Sequence, residues 1–299
     1  MTAERKLKAA SITIAANTGL IAVKIVVAIL SGSIAIFAEV LHSFFALLAS
    51  LFAYGGIKLA SRPADEDHHY GHEKFENVSG LIQTLLIVLT ALFVIYESVS
   101  RLFAKTHEVE NLAVALGVMT LTLIVDIIVA RFLHKMSAET RSAALEADAY
   151  HFSTDLWSAI TVILGLGFVY FGELLSIPGL WIFDSVAAII VALLMLSVSW
   201  HLGSKALQVM LDRSPDEKVV RQIERTIATM PGVELSHCLR VRESGSAYFI
   251  DVHLHVDPAM TVRASHQLAH DLKRKVLAKN PYIKDMTIHI EPAKREEKK

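Results

Sequence analysis

Asn77 to Tyr96 reads NVSGLIQTLLIVLTALFVIY, twenty residues without one charged side chain. A helix rises about 1.5 Å per residue, so about 20 apolar residues match the roughly 30 Å hydrocarbon core of a bilayer, and this stretch predicts a transmembrane helix. Similar stretches, broken by single ionisable residues, lie on both sides of it: Ala9 to Leu30, Ile34 to Leu59, Leu112 to Leu133, Ala143 to Phe171 and Trp181 to Leu202. Six spans result. The composition agrees, because a 299-residue chain that is 53% hydrophobic with mean hydropathy +0.46 is too apolar for an ordinary soluble domain.

The connector Ser31-Gly32-Ser33 admits only a tight hairpin, and Ser176-Ile177-Pro178-Gly179 is a helix stop and restart, so neighbouring spans are predicted antiparallel. Basic residues set the orientation. Arg5, Lys6 and Lys8 precede the first span, Lys58, Arg62 and Lys74 bracket the second connector, and Arg131, Lys135 and Arg141 the fourth. The opposite connectors carry only Arg101 and Lys105, which predicts a multi-pass protein of the inner cell membrane with both termini in the cytoplasm. No small-residue cleavage pattern comes after the first apolar stretch, so it reads as a retained span.

Beyond Leu211 the character changes. Asp212-Arg213-Ser214-Pro215-Asp216-Glu217 is a charged turn, and the residues after it have soluble composition. The pattern predicts a helix (Asp216 to Met230), two strands (Ser236 to Glu243, Ala247 to Asp257), a helix (Val262 to Leu277) and a strand (Asp285 to Ile290), an αββαβ, α+β module. The expected organisation is therefore a six-helix membrane domain over residues 1–211, a small cytoplasmic metal-binding domain over 212–292 and a charged tail over 293–299. About 80 residues is small for an independent core, which dimerisation or bound metal would offset.

Formal net charge is -1, which gives nucleic acid no electrostatic footprint, whereas 14 histidines invite a metal argument. Cys238 is the sole cysteine, so no internal disulfide forms, and any metal site is expected to be built from His, Asp and Glu. An ionisable group in the hydrocarbon region costs roughly 2.5 to 3.5 kcal/mol, so each one in a span points to a partner, a cavity or a task. In the fifth span Asp148, His151 and Asp155 stand at i, i+3 and i+7 on one helix face, and His151 with Asp155 is an i, i+4 pair suited to one ion. The second span offers Glu39 and His42 on one face, and the next position on that stripe is Ala46, which ligates nothing. Opposed, the two faces would surround one ion with His42, His151 and Asp155, plus Glu39 or water; hydrogen-bonded helix packing is the alternative. Asp126, Asp184 and Lys24 stay unassigned.

Two further groups lie outside the spans. Asp65, His68 and His72, within Pro63 to His72, have spacings suited to a second divalent ion, although a solvated acidic loop reads the same way. In the soluble module His237, His253, His266, His289 and Glu291 lie on different predicted elements and can converge, while Asp251, His253, His255 and Asp257 alternate along one strand and share a face. That face is either a ligand set or a hydrated strand surface.

Six spans with His42 in the second, Pro63-Ala64-Asp65 through Tyr70-Gly71-His72, and His151-Phe152-Ser153-Thr154-Asp155 in the fifth closely resemble the cation diffusion facilitator family, of the bacterial or archaeal type, over nearly the whole chain. The resemblance implies a homodimer in the lipid bilayer that exports zinc or another divalent cation (Cd2+, Fe2+, Co2+ or Mn2+) against protons, and no enzymatic activity. It implies transport ligands at His42, His151 and Asp155, a cytoplasmic loop site at Asp65, His68 and His72, and a regulatory site at His237, His253, His266, His289 and Glu291. Lys74 and Asp212 resemble a charge interlock at the dimer hinge, and the C-terminal module resembles a metallochaperone fold. Ala46 departs from the pattern, in which an aspartate completes the second-span pair. Three of four transport ligands then remain. The chain reads as an inactivated variant, as a site completed by Glu39 or water, or as a member that senses metal without moving it; one gap in an otherwise intact set favours the first.

Overall fold

The computed structural model describes residues 2–31, 34–104, 112–174 and 181–293, which form eight helices and three strands. Two compact units divide the chain, Met1–Leu207 and Gln208–Lys299. The connector residues Gly32 and Ser33, Lys105, Ser176 to Gly179 and the tail from Lys294 lie outside the described residues, as do the side chains of Glu39, Arg101 and Asp184.

The first unit is built from α1 (Thr2–Ser31), α2 (Ile34–Ala60), α3 (Phe75–Ala104), α4 (Leu112–Thr140), α5 (Ala143–Leu174) and α6 (Trp181–Met210). Each helix has 27 to 32 residues, more than a bilayer crossing requires. Five of them carry windows apolar enough to cross a membrane among the described residues. This is a multi-pass membrane protein with a small sheet-bearing module after its helices. Its surface is inverted relative to a soluble protein: Val26, Ile29, Leu89, Ile128 and Leu194 are exposed, while Asn17, Lys24, Asp148 and His151 are buried.

Small residues let the helices approach closely. Ala9 and Ala10 of α1, Ala53 of α2, Ala130 of α4 and Ala144 and Ala149 of α5 pack with Ile57, Leu133 and Phe152 in one cluster, while Ile87 and Ala91 of α3 meet Ala192 and Met195 of α6 in another. Among the described glycines the closest approach is at Gly56 of α2, where an added Cβ would sit 2.3 Å from Ser79 Cβ on α3. Ser79 also donates its hydroxyl to the Phe52 carbonyl across the same crossing, at 2.7 Å.

Several helices continue past the ends of the apolar pattern because their polar turns find tertiary partners. The clearest case is α1, which starts at Thr2 rather than at Ala9. Lys6 Nζ lies 2.5 Å from Glu76 Oε1 at the start of α3, and Ser142 at the start of α5 donates to Glu76 Oε2 at 2.6 Å. Both members of the ion pair are almost fully buried. Arg5 pairs with Glu139 on α4 at an exposed position.

The second unit contains α7 (Glu217–Ala228), β1 (Leu235–Ser244), β2 (Ala247–Val256), α8 (Val262–Lys279) and β3 (Ile283–Pro292). Asp216 caps α7 by accepting from the Lys218 backbone N–H, and Thr261 caps α8 through Ala264. A two-residue turn, Gly245-Ser246, joins β1 to its antiparallel neighbour β2, with Gly245 at φ 57. After the α8 crossover β3 lies parallel to β2, giving the sheet order β1-β2-β3. Residues 248, 250, 252 and 254 of β2 pack on Ile223 and Ile227 of α7 and Leu272 and Val276 of α8. The helices cover one face of the sheet. The opposite face carries His253 and His255, half-buried between buried Val252, Leu254 and Val256, in the predicted alternation.

Candidate metal sites

In the helical unit Asp155 of α5 sits between two imidazoles. His42 Nε2 of α2 lies 3.2 Å from Asp155 Oδ1, and His151 Nε2, one turn earlier on α5, lies 3.6 Å from Asp155 Oδ2. The i, i+4 spacing on α5 aligns His151 with Asp155, and the packing of α2 against α5 supplies His42. His151 is fully buried, and neither ring nitrogen has a hydrogen-bond partner among the described residues. An imidazole so placed has lone-pair capacity that folding alone does not use, which fits a ligand role. The three side chains do not close into a set with all ligand atoms within 4.8 Å of one another. Ala46 is buried on α2, and its carbonyl accepts from Asn17 Nδ2 of α1 at 3.2 Å. Asn17 Nδ2 also donates to Ser50 Oγ, which donates to Asp148 Oδ1, each at 3.0 Å. Asp148 thus belongs to a hydrogen-bonded network of α1, α2 and α5. Lys24 is buried on α1, with Nζ donating to Ser43 Oγ at 2.8 Å.

The connector between α2 and α3 folds back on itself. Asp65 Oδ1 accepts from the backbone N–H of His68 at 2.8 Å and of Asp67 at 3.2 Å, and Gly71 at φ 88 completes the reversal. Asp65 oxygens then lie 3.3 Å from His68 Nδ1 and 3.3 Å from His72 Nε2. His72 is buried, and its Nδ1–H donates to the Pro63 carbonyl at 3.0 Å, which turns Nε2 toward Asp65. The His68 backbone N–H, with the neighbouring His72 charge, holds the Asp65 carboxyl below its ordinary range. All three ligand atoms fall within 4.8 Å of one another.

The uncovered sheet face of the second unit is the richest in ligands. Register places His237 opposite His253, His253 beside His289, and His255 beside Glu291. Glu291 is the centre. Its Oε2 lies 3.1 Å from His237 Nε2 and 3.1 Å from His255 Nε2, and its Oε1 lies 2.8 Å from His253 Nδ1 and 3.5 Å from His289 Nε2. Each oxygen therefore faces its own imidazole pair, giving the sets His237, His255, Glu291 and His253, His289, Glu291. Hydrogen bonds from His253 and then His237 pull the Glu291 carboxyl down to about 2. Imidazole with carboxylate is a donor set that fits zinc and related divalent ions.

His266 lies elsewhere: on α8 its ring packs against His270 at 4.5 Å, and it joins none of these sets among the described residues. Asp251 pairs with Arg240 at 3.9 Å, and Asp257 falls just past β2. Lys74 lies in the turn before α3, where its carbonyl accepts from Asn77 and Val78, and Asp212, at φ 59 in the second unit, accepts from Arg242 at 3.4 Å. Two residues enter beyond the predicted sets. His255 belongs to the alternating strand face read from sequence but not to the regulatory set that the family resemblance implied. Cys238, which the absence of a CxxC pair argued against, forms a set with His237 and His253.

The sequence pattern of the cation efflux transmembrane domain matches residues 10–211, and that of the cation efflux protein cytoplasmic domain matches residues 215–293. The chain is 28% identical over 285 residues to a cation-efflux pump FieF of Salmonella schwarzengrund, spanning 95% of this chain and 92% of the relative. It is 28% identical over 262 residues to the FieF of Salmonella arizonae, spanning 88% and 84%. Among solved structures, the metal-bound C-terminal domain of the CzcD transporter from Thermotoga maritima is similar at 31% identity with TM-score 0.26, covering 27% of this chain and 93% of that one. Matches to both domains, together spanning most of the sequence, establish that the chain belongs to the cation diffusion facilitator, or cation efflux, family.

Proposed function

We propose that this efflux-family protein exports zinc in preference to other divalent cations, by alternating access and in exchange for protons. The observation that carries the reading is the Asp155 carboxylate held between His42 of α2 and His151 of α5 inside a bundle of bilayer-length helices. Imidazole and carboxylate donors favour zinc, with cadmium, iron(II), cobalt and manganese behind it. Protons compete for the same lone pairs, so protonation of His42, His151 and Asp155 on the far side releases the cargo. The module set His237, His253, His289, Glu291, with His266 added by family resemblance, binds metal in a regulatory role, and the loop set Asp65, His68, His72 is a second cytoplasmic divalent-ion site. We further infer a homodimer hinged at Lys74 and Asp212, in the inner membrane with both termini cytoplasmic.

Ala46 leaves three of four ligands, so we read the chain as an inactivated form of this exporter. Zinc uptake into inside-out proteoliposomes with an acidic interior tests both claims. The Ala46→Asp form is expected to take up zinc at least about tenfold faster than the parent, since even an outer-shell partner is worth about 10- to 100-fold in metal affinity. Collapse of the pH gradient then stops the uptake. Uptake by neither form would overturn transport and leave the alternative that the Ala46 gap favours, a membrane protein that senses metal without moving it.

A further inference from the structure

We propose that His237, Cys238 and His253 form an alternative soft-metal position in the C-terminal module, sharing its histidines with the Glu291 sets, one that takes a thiophilic ion such as cadmium in preference to the harder divalent ions. One ligand atom from each of the three lies within 4.8 Å of the others. His237 Nδ1 is 3.2 Å from Cys238 Sγ, close to the roughly 3.5 Å edge of a tetrahedral zinc site, with Zn–N near 2.0 Å and Zn–S near 2.3 Å, so the two atoms can share one ion, and a larger ion such as cadmium would need them slightly farther apart.

Consecutive strand residues point to opposite faces of a sheet, so in a regular β1 His237 and Cys238 could not serve one ion. The strand is not regular there. Its pairing runs from His237↔His253 to Arg240↔Asp251, two residues of β1 spanning one of β2, and Cys238 takes φ 50. Left-handed backbone is uncommon at a residue other than glycine, asparagine or aspartate. The bulge does two things at once. It keeps His237 and Arg240 on the same face despite their odd spacing, and it turns the thiol toward the imidazoles instead of away from them.

The opposite edge of the same His237 ring faces the carboxylate set, with Nε2 3.2 Å from His255 Nε2 and 3.1 Å from Glu291 Oε2. A neutral imidazole has its lone pair on one nitrogen only, so His237 serves the thiol set through Nδ1 or the Glu291 set through Nε2, not both. Ion softness decides which. A thiolate with two imidazoles favours cadmium, whereas the imidazole and carboxylate set around Glu291 favours zinc and harder ions. Cys238 is exposed, so an ion reaches it directly.

The test is cadmium titration of the full chain, purified in detergent and kept reduced, read by thiolate-to-metal charge-transfer absorption. That band reports sulfur ligation whether or not the chain transports. The parent is expected to give a band that saturates at one cadmium per chain; Cys238→Ser gives none, and His253→Ala shifts half-saturation upward by about tenfold or more. His255→Ala leaves the band and its midpoint unchanged, because His255 belongs only to the other set. A parent without the band, or a band whose midpoint survives His237→Ala and His253→Ala, would overturn the proposal, the second by showing an exposed thiol acting alone. A His255→Ala midpoint shifted as far as that of His253→Ala would overturn the distinction between this position and the Glu291 sets.

Discussion

The helical unit and the C-terminal module each set a carboxylate among imidazoles, but they differ in number and in burial. Asp155 has two histidines and lies in the interior of a helix bundle; Glu291 has four and lies on an open sheet face. On the transport proposed above, a carrier has to release what it binds, and a small ligand set would serve that end. A sensor or a structural metal position has no such requirement and gains from every added ligand. Burial also changes what each polar group is worth: inside the bundle an unpartnered polar atom carries a desolvation cost, whereas on the sheet face water supplies the missing bonds.

The largest effect expected from this contrast is on stability. Lys6→Met removes one partner of the buried Lys6–Glu76 pair, and loss of a partner from a buried pair costs about 3 to 5 kcal/mol, whereas Arg221→Ala at the exposed Arg221–Glu217 pair costs about 0.5 kcal/mol or less. Thermal unfolding of the two variants in detergent checks this; equal shifts would erase the distinction between the two environments. Next in size is transport. In the Ala46→Asp background, Asp155→Asn is expected to lower zinc flux about 100-fold (about 2.7 kcal/mol), while Glu291→Gln lowers it less than tenfold. Flux measurements in proteoliposomes that rank the two the other way would move the cargo site to the module.

The smallest effect is on protonation. Held at about 2, Glu291 has a folded-state pKa below the ordinary glutamate value of 4.5. A depressed carboxylate stabilises the fold above about pH 4.5 and loses that contribution as pH falls through about 2. Carbon-13 titration of glutamate-labelled, metal-free chain should therefore give Glu291 a midpoint near 2, and His253→Ala should raise it. A parent midpoint at 4.5 would mean that the imidazoles do not hold the carboxylate.

Much of this was legible in the sequence because lipid and a sheet core both impose periodic signals. The Asn77 to Tyr96 run, the i, i+4 pair His151 and Asp155, and the alternation at His253 and His255 are readable without coordinates. Helix ends were not, since α1 reaches Thr2 only because Lys6 and Arg5 find Glu76 and Glu139 on other helices. Nor was the network of Asn17, Ser50 and Asp148, whose members lie on three helices. At Cys238 a strict period-2 reading sends the thiol to the wrong face, and only the bulge corrects it. His266, grouped with the strand histidines from sequence, lies on a helix beside His270.

The contact of Gly56 with Ser79 leaves no room for a side chain where α2 crosses α3, so any tilt of α2 about that crossing would turn on this contact. His42 lies fourteen residues along α2, about 21 Å from that pivot at 1.5 Å per residue. A tilt of about 5° there swings the imidazole by about 2 Å, on the scale of a metal–ligand bond. A methyl group at position 56 would move the pivot itself, and with it the reach of a histidine that it never touches.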